Sequence, residues 1–239
     1  MGECWGEGTA TFMILGNVCT RSCGICGVKT GRPESVDWDV PEKVARSIKI
    51  MNIKHAVVTS VDRDDLKDMG SIIWAETVNA IRRMNPETTL ETLIPDFQGK
   101  ENHLDRILEV APEVISHNME TVRRLTREVR IQAKYDRSLG VLEYLKKNGA
   151  HRTKSGIMLG LGEFEEEVIE TMQDLRNVGV DVVTIGQYLQ PSKKHLPVHD
   201  FITPEQFEKY QEIGLKMGFR HVESGALVRS SYKAHKLIQ

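Results

Sequence analysis

The sequence predicts an α/β fold built on a parallel sheet, and two observations support this prediction. Short apolar runs rich in β-formers alternate with longer segments whose apolar residues recur at helical spacing. Strands that are separated by helices pair in parallel through right-handed crossovers. Six such units fit either a partial (β/α)6 barrel or a doubly wound sheet. A chain of 239 residues with 40% hydrophobic residues is long enough for one core, so we expect a single domain over 1–239.

The predicted elements follow one another without a linker, a low-complexity tract or an internal repeat. The strands are expected at 11–15, 55–61, 88–94, 113–118, 155–161 and 181–189, and the helices at about 41–52, 70–85, 103–111, 136–148, 163–178 and 203–217. The start of the last helix has an N-cap at Thr203, a first-turn proline at Pro204 and a capping-box residue at Gln206. Three helix ends are marked by a glycine just after the apolar run, at Gly149, Gly179 and Gly218.

Charge and hydropathy exclude several classes of protein. The chain has 32 basic and 34 acidic residues and a net charge of -2, which predicts no nucleic-acid partner and no membrane surface. It has no run of membrane-span length and no apolar N-terminal signal, so we expect a cytoplasmic protein. In a reducing cytosol, clustered cysteines are more often metal ligands or redox groups than disulfides.

The unusual residues follow the predicted strands. The cysteine-rich stretch "NVCTRSCGICG" follows the first strand, "TSVDRDD" ends the second, and "IPDFQG", "HNMET" and "QPSKKHLPVHD" follow the third, fourth and sixth. Functional groups in parallel α/β folds collect on the loops at the carboxyl ends of the strands. We therefore expect the functional groups to lie together on these loops at the carboxyl edge of the sheet, which we call the rim.

Three of the four cysteines, Cys19, Cys23 and Cys26, have the spacing CxxxCxxC. Three thiolates can hold three corners of a four-iron cluster and leave the fourth iron open to another ligand. The alternatives are a structural zinc site or incidental clustering of the cysteines. A zinc site normally needs four ligands, and the nearest downstream histidine, His55, lies in a predicted strand. The spacing favours the iron-sulfur cluster.

This cysteine loop after a first barrel strand resembles the radical S-adenosylmethionine (SAM) superfamily. The resemblance implies that the open iron binds the amino and carboxylate groups of SAM, and that reduction of the cluster yields a 5'-deoxyadenosyl radical. The superfamily often has an aromatic residue before its third cysteine, whereas this chain has Ile25.

Further segments narrow the resemblance to the lipoyl synthase family. They occur in family order along nearly the whole chain: "GECWGEGTATFMILG", "CTRSC", "TSVDRDDLKDMG", "IPDFQG", "SHNMETV", "TKSGIMLGLGE", "TIGQYLQPSKKHLPV" and "RSSY". The resemblance implies a sulfurtransferase with a partial barrel at about 11–217 and short extensions at 1–10 and 218–239. Its members insert two sulfur atoms at C6 and C8 of an octanoyl chain held on a carrier lysine. Those carbons are unactivated, so no ordinary base can deprotonate them and radical chemistry is needed.

The resemblance also implies an auxiliary 4Fe-4S cluster that donates the sulfur. Cys4 matches the last cysteine of the family's CxxxxCxxxxxC motif, and Ser231 of "RSSY" best matches its serine ligand. The two earlier cysteines should lie eleven and six residues before Cys4, where this chain has only three residues. We favour a coding start placed at an internal methionine over a shortened or inactive protein. The remaining alternative is a non-catalytic iron-sulfur relative, or a core that cleaves SAM without inserting sulfur.

Five residues are expected to contact SAM by the same resemblance, namely Thr59, Asn118, Glu120, Arg137 and Lys154. Glu120 can accept the ammonium, and Arg137 or Lys154 can pair with the carboxylate. A helix N-cap is the alternative role for Asn118. The glycine-rich stretch at 156–162 is not GxGxxG and is typical of a strand-to-helix turn, although the resemblance places its backbone near the cofactor.

The expected partners also follow from the resemblance. They are octanoylated lipoyl carrier domains (the E2 subunits of 2-oxoacid dehydrogenases and the glycine cleavage H protein), a flavodoxin or ferredoxin reductant, and an iron-sulfur carrier. The acidic run at 163–167 is expected to be a solvated first helical turn. The basic stretch "SKKHLP" at 192–197 is either a plain loop or a surface that steers an acidic carrier toward the rim.

Overall fold

The computed structural model describes residues 6, 8–232, 234 and 235, and these contain two parallel sheets. The strands are β1 (Thr9–Ile14), β2 (Val18–Cys19), β3 (Lys29–Thr30), β4 (His55–Ser60), β5 (Thr89–Leu93), β6 (Val114–Ser116), β7 (Thr153–Leu159), β8 (Val182–Gln187) and β9 (His221–Gly225). Seven of them form one sheet in the order β1-β4-β5-β6-β7-β8-β9, and β2 pairs with β3. All seven are paired in parallel, which confirms the predicted fold class.

The strand order decides between the two architectures that the sequence left open. A doubly wound sheet reverses its strand order at a switch point, whereas a barrel adds each new strand to the same edge. The large sheet follows chain order from β1 to β9 without reversal. The winding is therefore that of a partial barrel, and in the described part of the chain β1 and β9 are its two edge strands.

The helices lie between the strands as the sequence predicts. They are α1 (Val40–Ile50), α2 (Ser71–Met84), α3 (Glu101–Glu109), α4 (Thr126–Val129), α5 (Tyr135–Lys147), α6 (Glu165–Asn177) and α7 (Pro204–Lys216). The short α4 and the strands β2, β3 and β9 were not predicted. Strands β2 and β3 have two residues each and are too short to show a hydrophobic period. Strand β9 lies in the segment 218–239, which we expected to be an extension outside the barrel.

The predicted N-cap at Thr203 and the three predicted end glycines are confirmed, but Gln206 does not act as a capping-box residue, because its Nε2 donates to Glu165 Oε2 at 3.0 Å. Thr203 is the N-cap of α7, and its hydroxyl accepts a hydrogen bond from the Gln206 backbone NH at 3.3 Å. The three predicted end glycines all have left-handed backbone, with φ of 103°, 83° and 90° at Gly149, Gly179 and Gly218. The acidic run also begins a helix, because the first turn of α6 contains three glutamates.

The two faces of the sheet differ in character. One face packs against the helices, and residues such as Val58, Leu90 and Ile185 are buried there in the hydrophobic core. Successive side chains of a strand point to opposite faces, so the alternate residues form what we call the inner face. It is polar at Thr59, Glu91, Ser116, Lys154 and Thr184. None of the described helices is both long and apolar enough to cross a membrane.

Candidate functional site

The cysteine loop crosses the carboxyl edge of the sheet. Cys19 ends β2 and is buried, Cys23 is half-buried and Cys26 is exposed. Backbone hydrogen bonds fix the loop, from the Cys26 NH to the Cys23 carbonyl at 3.2 Å and from the Gly24 NH to the Val129 carbonyl at 2.9 Å. The three thiols are thus presented in a loop with a defined course.

An open cleft of about 280 Å³ lies beside this loop, under the rim of the sheet. Two of its walls come from the cysteine loop and from the ends of β4, β5 and β6. Its lining includes Cys23, Cys26, Thr59, Ser60, Asp62, His117, Asn118, Glu120 and Arg130. The structure therefore brings three of the five expected SAM contacts, Thr59, Asn118 and Glu120, to the same cleft as two of the cysteines.

Cys19 is tied to this cleft through Asp62. The Cys19 Sγ accepts hydrogen bonds from the backbone NH groups of Asp62 at 3.3 Å and Arg21 at 3.4 Å. Burial raises the pKa of the Cys19 thiol, and these two hydrogen bonds oppose the rise. Burial also raises the pKa of Cys23 to about 11. Both groups are therefore neutral thiols at neutral pH in the metal-free chain, whereas iron ligation would require the thiolates.

Arg21, between the first two cysteines, is the centre of a buried charge cluster that the sequence analysis missed. Its guanidinium contacts Asp62 at 3.3 Å, Asp64 at 2.7 Å and Asp96 at 2.7 Å. Asp62 and Asp64 follow β4, and Asp96 follows β5. Arg137 on α5 also contacts Asp96, at 2.7 Å. This cluster joins the cysteine loop to two other rim loops and to a helix.

Residues 118–120 form an irregular extension of β6. Glu120 has φ of 66°, which is rare outside glycine, and its NH and carbonyl pair with β7 at the Gly156 carbonyl and the Met158 NH, both at 2.9 Å. Burial raises the pKa of the Glu120 carboxyl. Backbone strain of this kind concentrates at functional sites, where the surrounding structure holds it in place.

The amide of Asn118 donates from Nδ2 to Glu120 Oε1 at 3.1 Å and to Ser230 Oγ at 2.8 Å. The helix N-cap that we weighed for Asn118 is wrong, since the next helix, α4, begins at Thr126. Three buried polar atoms of cleft-lining residues, Ser60 Oγ, Asp62 Oδ1 and Asn118 Oδ1, have no hydrogen-bond partner among the described residues, although Asp62 Oδ1 lies 3.3 Å from Arg21 Nη1. Such orphaned groups are unfavourable unless a ligand or water meets them.

The structure does not bring Arg137 and Lys154 into the cleft. Arg137 lies behind the loop that follows β5, where its guanidinium is held by Asp96. Lys154 is fully buried on the inner face, with Nζ 2.8 Å from Glu91 Oε1. To pair with the carboxylate of SAM, either side chain would therefore have to leave the acidic residue that it already contacts. The cationic residue that does line the cleft is Arg130, which the sequence analysis missed because it is one of several arginines in a polar segment.

The two expected auxiliary-cluster residues are placed differently. Cys4 lies outside the described residues. Ser231 is half-buried in a turn after β9, and its neighbour Ser230 is the serine that contacts Asn118 at the cleft. The serine-bearing segment thus reaches the wall of the cleft.

The donor chemistry of the cysteine loop fits a four-iron cluster. In the part of the chain that is described, no group of three or more His, Cys, Asp or Glu side chains is arranged to hold one metal ion, and this applies to the three cysteines as well. A cubane spreads its ligands over separate corners and needs only thiols at suitable spacing. Three thiols on one ordered loop, beside a cleft with orphaned polar atoms, meet that requirement.

The glycine-rich stretch after β7 is a strand-to-helix turn, as its composition predicts. Gly160 and Gly162 have φ of 96° and 95°. The Glu163 carboxylate accepts hydrogen bonds from the NH groups of Gly160 and Leu161, at 2.6 Å and 2.9 Å. The donors that a phosphate would need are occupied by this side chain.

Comparison with known proteins gives the family. The model of the radical SAM superfamily matches residues 13–175. The chain is 85% identical over 236 residues to the lipoyl synthase of Christiangramia forsetii, covering 99% of this chain and 80% of that protein. It is 83% identical over 238 residues to the lipoyl synthase of Flavobacterium psychrophilum, covering 100% of this chain and 82% of that protein.

Two solved structures have the same fold at low sequence identity. SuiB of Streptococcus suis bound to S-adenosylmethionine aligns with a TM-score of 0.73 and 10% identity, over 97% of this chain and 53% of that one. Coproporphyrinogen III oxidase of Escherichia coli, a radical SAM enzyme, aligns with a TM-score of 0.64 and 11% identity, over 88% of this chain and 53% of that one. From the family model, the high identity to these two relatives and the shared fold, the chain belongs to the lipoyl synthase family of the radical SAM superfamily.

Proposed function

We propose that this chain is the catalytic core of a lipoyl synthase, which inserts sulfur at C6 and C8 of an octanoyl chain held on a lysine of a lipoyl carrier domain. Its superfamily implies a 4Fe-4S cluster and SAM as cofactors. The main support for the proposal is a single cleft at the carboxyl edge of the sheet, which is lined both by the CxxxCxxC loop and by polar residues at the ends of β4 and β6. The reaction itself is inferred from the relatives of this chain, which are lipoyl synthases.

Cys19, Cys23 and Cys26 would hold the cluster. When bound and reduced, a four-iron cluster with SAM supplies a carbon radical that can remove hydrogen from unactivated carbons. The protein has to keep this loop in place and limit the access of water. Burial of Cys19 and the Arg21 charge cluster serve the first task, because they tie the loop to the strand ends behind it.

Thr59, Asn118 and Glu120 would contact SAM from the opposite wall of the cleft. The Glu120 carboxylate is suited to an ammonium group, since a positive partner would offset the burial that raises its pKa. The orphaned Asn118 Oδ1 can accept a further hydrogen bond from a ligand. Arg130, which lines the same cleft, is better placed than Arg137 or Lys154 to pair with a carboxylate.

Cys4 and Ser231 would be ligands of the auxiliary cluster that the family uses as its sulfur source. The support is the position of the serine segment, because Ser230 lies against the cleft wall through Asn118. A serine oxygen is a harder ligand than a thiolate, so that corner would open more readily as sulfur departs.

The substrate would be an octanoylated carrier domain, such as an E2 lipoyl domain or an H protein, with a flavodoxin or ferredoxin as electron donor. The basic loop at 192–197 supports a docking role near the rim. Lys193 and Lys194 are exposed, and His195 Nε2 lies 2.9 Å from the Cys26 carbonyl oxygen. This loop therefore places positive charge beside the cysteine loop, where an acidic carrier would be attracted.

The test is to substitute the three cysteines one at a time. Cys19→Ala, Cys23→Ala and Cys26→Ala should each abolish formation of 5'-deoxyadenosine from SAM in anaerobically reconstituted, chemically reduced protein, because three thiolates are the minimum that can hold the cluster. Ser22→Ala is the matched control in the same loop, since it removes only an exposed hydrogen bond that Ser22 Oγ accepts from Gln132 Nε2. Near-normal cleavage in any of the three cysteine variants would contradict the assignment.

A further inference from the structure

The segment after β9 folds back against the inner face of the sheet. Val228, Arg229 and Ser230 form one wall of a small cavity of about 40 Å³, and the opposite wall comes from Asn118 and from β7 and β8. Turns shape the segment, with hydrogen bonds from the Val228 NH to the Gly225 carbonyl at 3.0 Å and from the Tyr232 NH to the Arg229 carbonyl at 2.8 Å. The segment that contains the "RSSY" motif is thus packed against strands.

A glycine on β8 makes room for this segment. Gly186 occupies an inner-face position, and a Cβ there would clash with the backbone carbonyl of Val228. Its backbone is not left-handed, so alanine is compatible with its conformation and the close approach of the segment is what requires glycine. Gly156, on the neighbouring β7, has a similar constraint, because a Cβ there would lie 2.7 Å from Thr184 Oγ1 and 3.0 Å from Asn118 Oδ1.

A buried ion pair on the inner face of the sheet binds the backbone of this segment. Lys154 on β7 and Glu91 on β5 have fully buried side chains, and Lys154 Nζ donates to both Glu91 oxygens, at 2.8 Å and 3.0 Å. The third ammonium proton goes to the backbone carbonyl of Ser230. Ser116 Oγ donates to Glu91 Oε1 at 2.7 Å. An ammonium has three N–H donors, so the two Glu91 oxygens and the Ser230 carbonyl accept all the hydrogen bonds that Lys154 can donate.

A second contact fixes the side chain of the same residue. Asn118 Nδ2 donates to Ser230 Oγ at 2.8 Å, so the hydroxyl of Ser230 is bound by the extension of β6 and its backbone by Lys154 of β7. We infer that Glu91, Lys154, Asn118 and Gly186 form a docking seat for residues 228–230. In this role Lys154 and Glu91 are positioning residues that set the location of the adjacent Ser231. The consequence for sulfur insertion rests on the proposed function, which makes Ser231 a cluster ligand.

Hydrogen exchange of the cluster-free chain, followed by mass spectrometry, tests the seat directly. In Gly186→Ala, peptides within 226–232 should exchange about tenfold faster or more, because the added methyl group displaces the Val228 carbonyl and opens the segment locally. The paired substitution Glu91→Gln with Lys154→Met, which removes both charges together, should have the same local effect without leaving an unpaired buried charge.

Lys146→Met is the matched control. Lys146 forms an ion pair with Asp181 at 2.7 Å, before the start of β8, and Asp181 also accepts a hydrogen bond from the Thr153 NH at 2.8 Å, so the control removes an ion pair close to Lys154 but none of the contacts to residues 228–230. Its loss should leave exchange in 226–232 at the level of the parent chain. Unchanged exchange in Gly186→Ala, or an equal increase in Lys146→Met, would overturn the inference. Because this measurement needs no cluster, it is independent of whether Ser231 is a ligand, which a Ser231→Ala product assay decides separately.

Discussion

Replacement of Arg21 by methionine should destabilise the protein more than any exposed ion pair would. Arg21 has 4% relative exposure, and its guanidinium makes two hydrogen bonds to Asp64, at 2.7 Å and 2.8 Å, and one to Asp96 at 2.7 Å. Methionine fills much of the volume of the side chain but leaves three aspartates facing one another. The substitution therefore tests charge pairing, with packing largely preserved.

The expected loss in the free energy of unfolding depends on the contacts that the aspartates keep in the variant. Removing one partner of a buried ion pair typically costs about 3–5 kcal/mol. Asp96, whose side chain has 0% exposure, keeps its contact with Arg137 at 2.7 Å and the hydrogen bond from the Gln98 NH at 3.0 Å. We therefore expect the free energy of unfolding to fall by about 3 kcal/mol, the lower end of that range. This is a large part of the ~5–15 kcal/mol that stabilises a typical domain.

The loss should depend on pH in a defined direction. Burial alone would raise the pKa of Asp96, but hydrogen bonds and charge from Arg21 hold it well below its ordinary value, and the Arg21 hydrogen bond likewise lowers the pKa of Asp64. Carboxyls with a lowered folded pKa stabilise the protein above their unfolded pKa of about 3.9, and this contribution is lost as the pH falls. In Arg21→Met, burial and mutual repulsion of the aspartates are no longer offset by Arg21, so these pKa values should rise above about 3.9 and the variant should regain stability as the carboxyls protonate. The difference in stability between parent and variant should therefore be largest at pH 7 and shrink toward pH 4.

Urea unfolding under anaerobic, reducing conditions measures these differences at both pH values. The double variant Arg21→Met with Asp96→Asn is the control, because removing one of the unpaired charges should recover part of the loss, about 1 kcal/mol or more. A cost below about 1 kcal/mol at pH 7 would refute the reasoning, since it is the range of exposed pairs. A deficit that stays constant with pH would refute it as well.

Three further predictions concern the clusters and a helix end. With a chain extended upstream by a two-cysteine segment, Ser231→Ala should still cleave SAM but form no lipoyl product on an octanoylated peptide, and a normal yield would remove Ser231 from the site. The polypeptide of these 239 residues has four cysteines and should bind about four irons after reconstitution, whereas about eight irons would require ligands beyond those identified. Thr203→Ala should lower the free energy of unfolding by ~1 kcal/mol in urea titrations, because the N-cap hydrogen bond to the Gln206 NH is lost. A loss no larger than that of an exposed Ser22→Ala would contradict it.

Local patterns in the sequence were sufficient for the parallel α/β class, the six principal helices and the cysteine loop. These features depend on neighbours in the chain, such as the helical period, the cap at Thr203 and the spacing of Cys19, Cys23 and Cys26. The lipoyl synthase resemblance likewise rests on short motifs in order, and the family comparisons confirm it. The roles of individual SAM and cluster ligands stay predictions.

Long-range pairing decided what the sequence left open. The unreversed strand order, which distinguishes a partial barrel from a doubly wound sheet, depends on which strands meet, and strand periodicity does not contain that information. The same holds for Lys154, which a motif placed near SAM and which the fold buries against Glu91, a residue 63 positions away in the chain. Arg21 and its three aspartates also come from separate loops. A charged residue in a sequence does not indicate its partner, because only the folded chain determines which opposite charge is buried beside it.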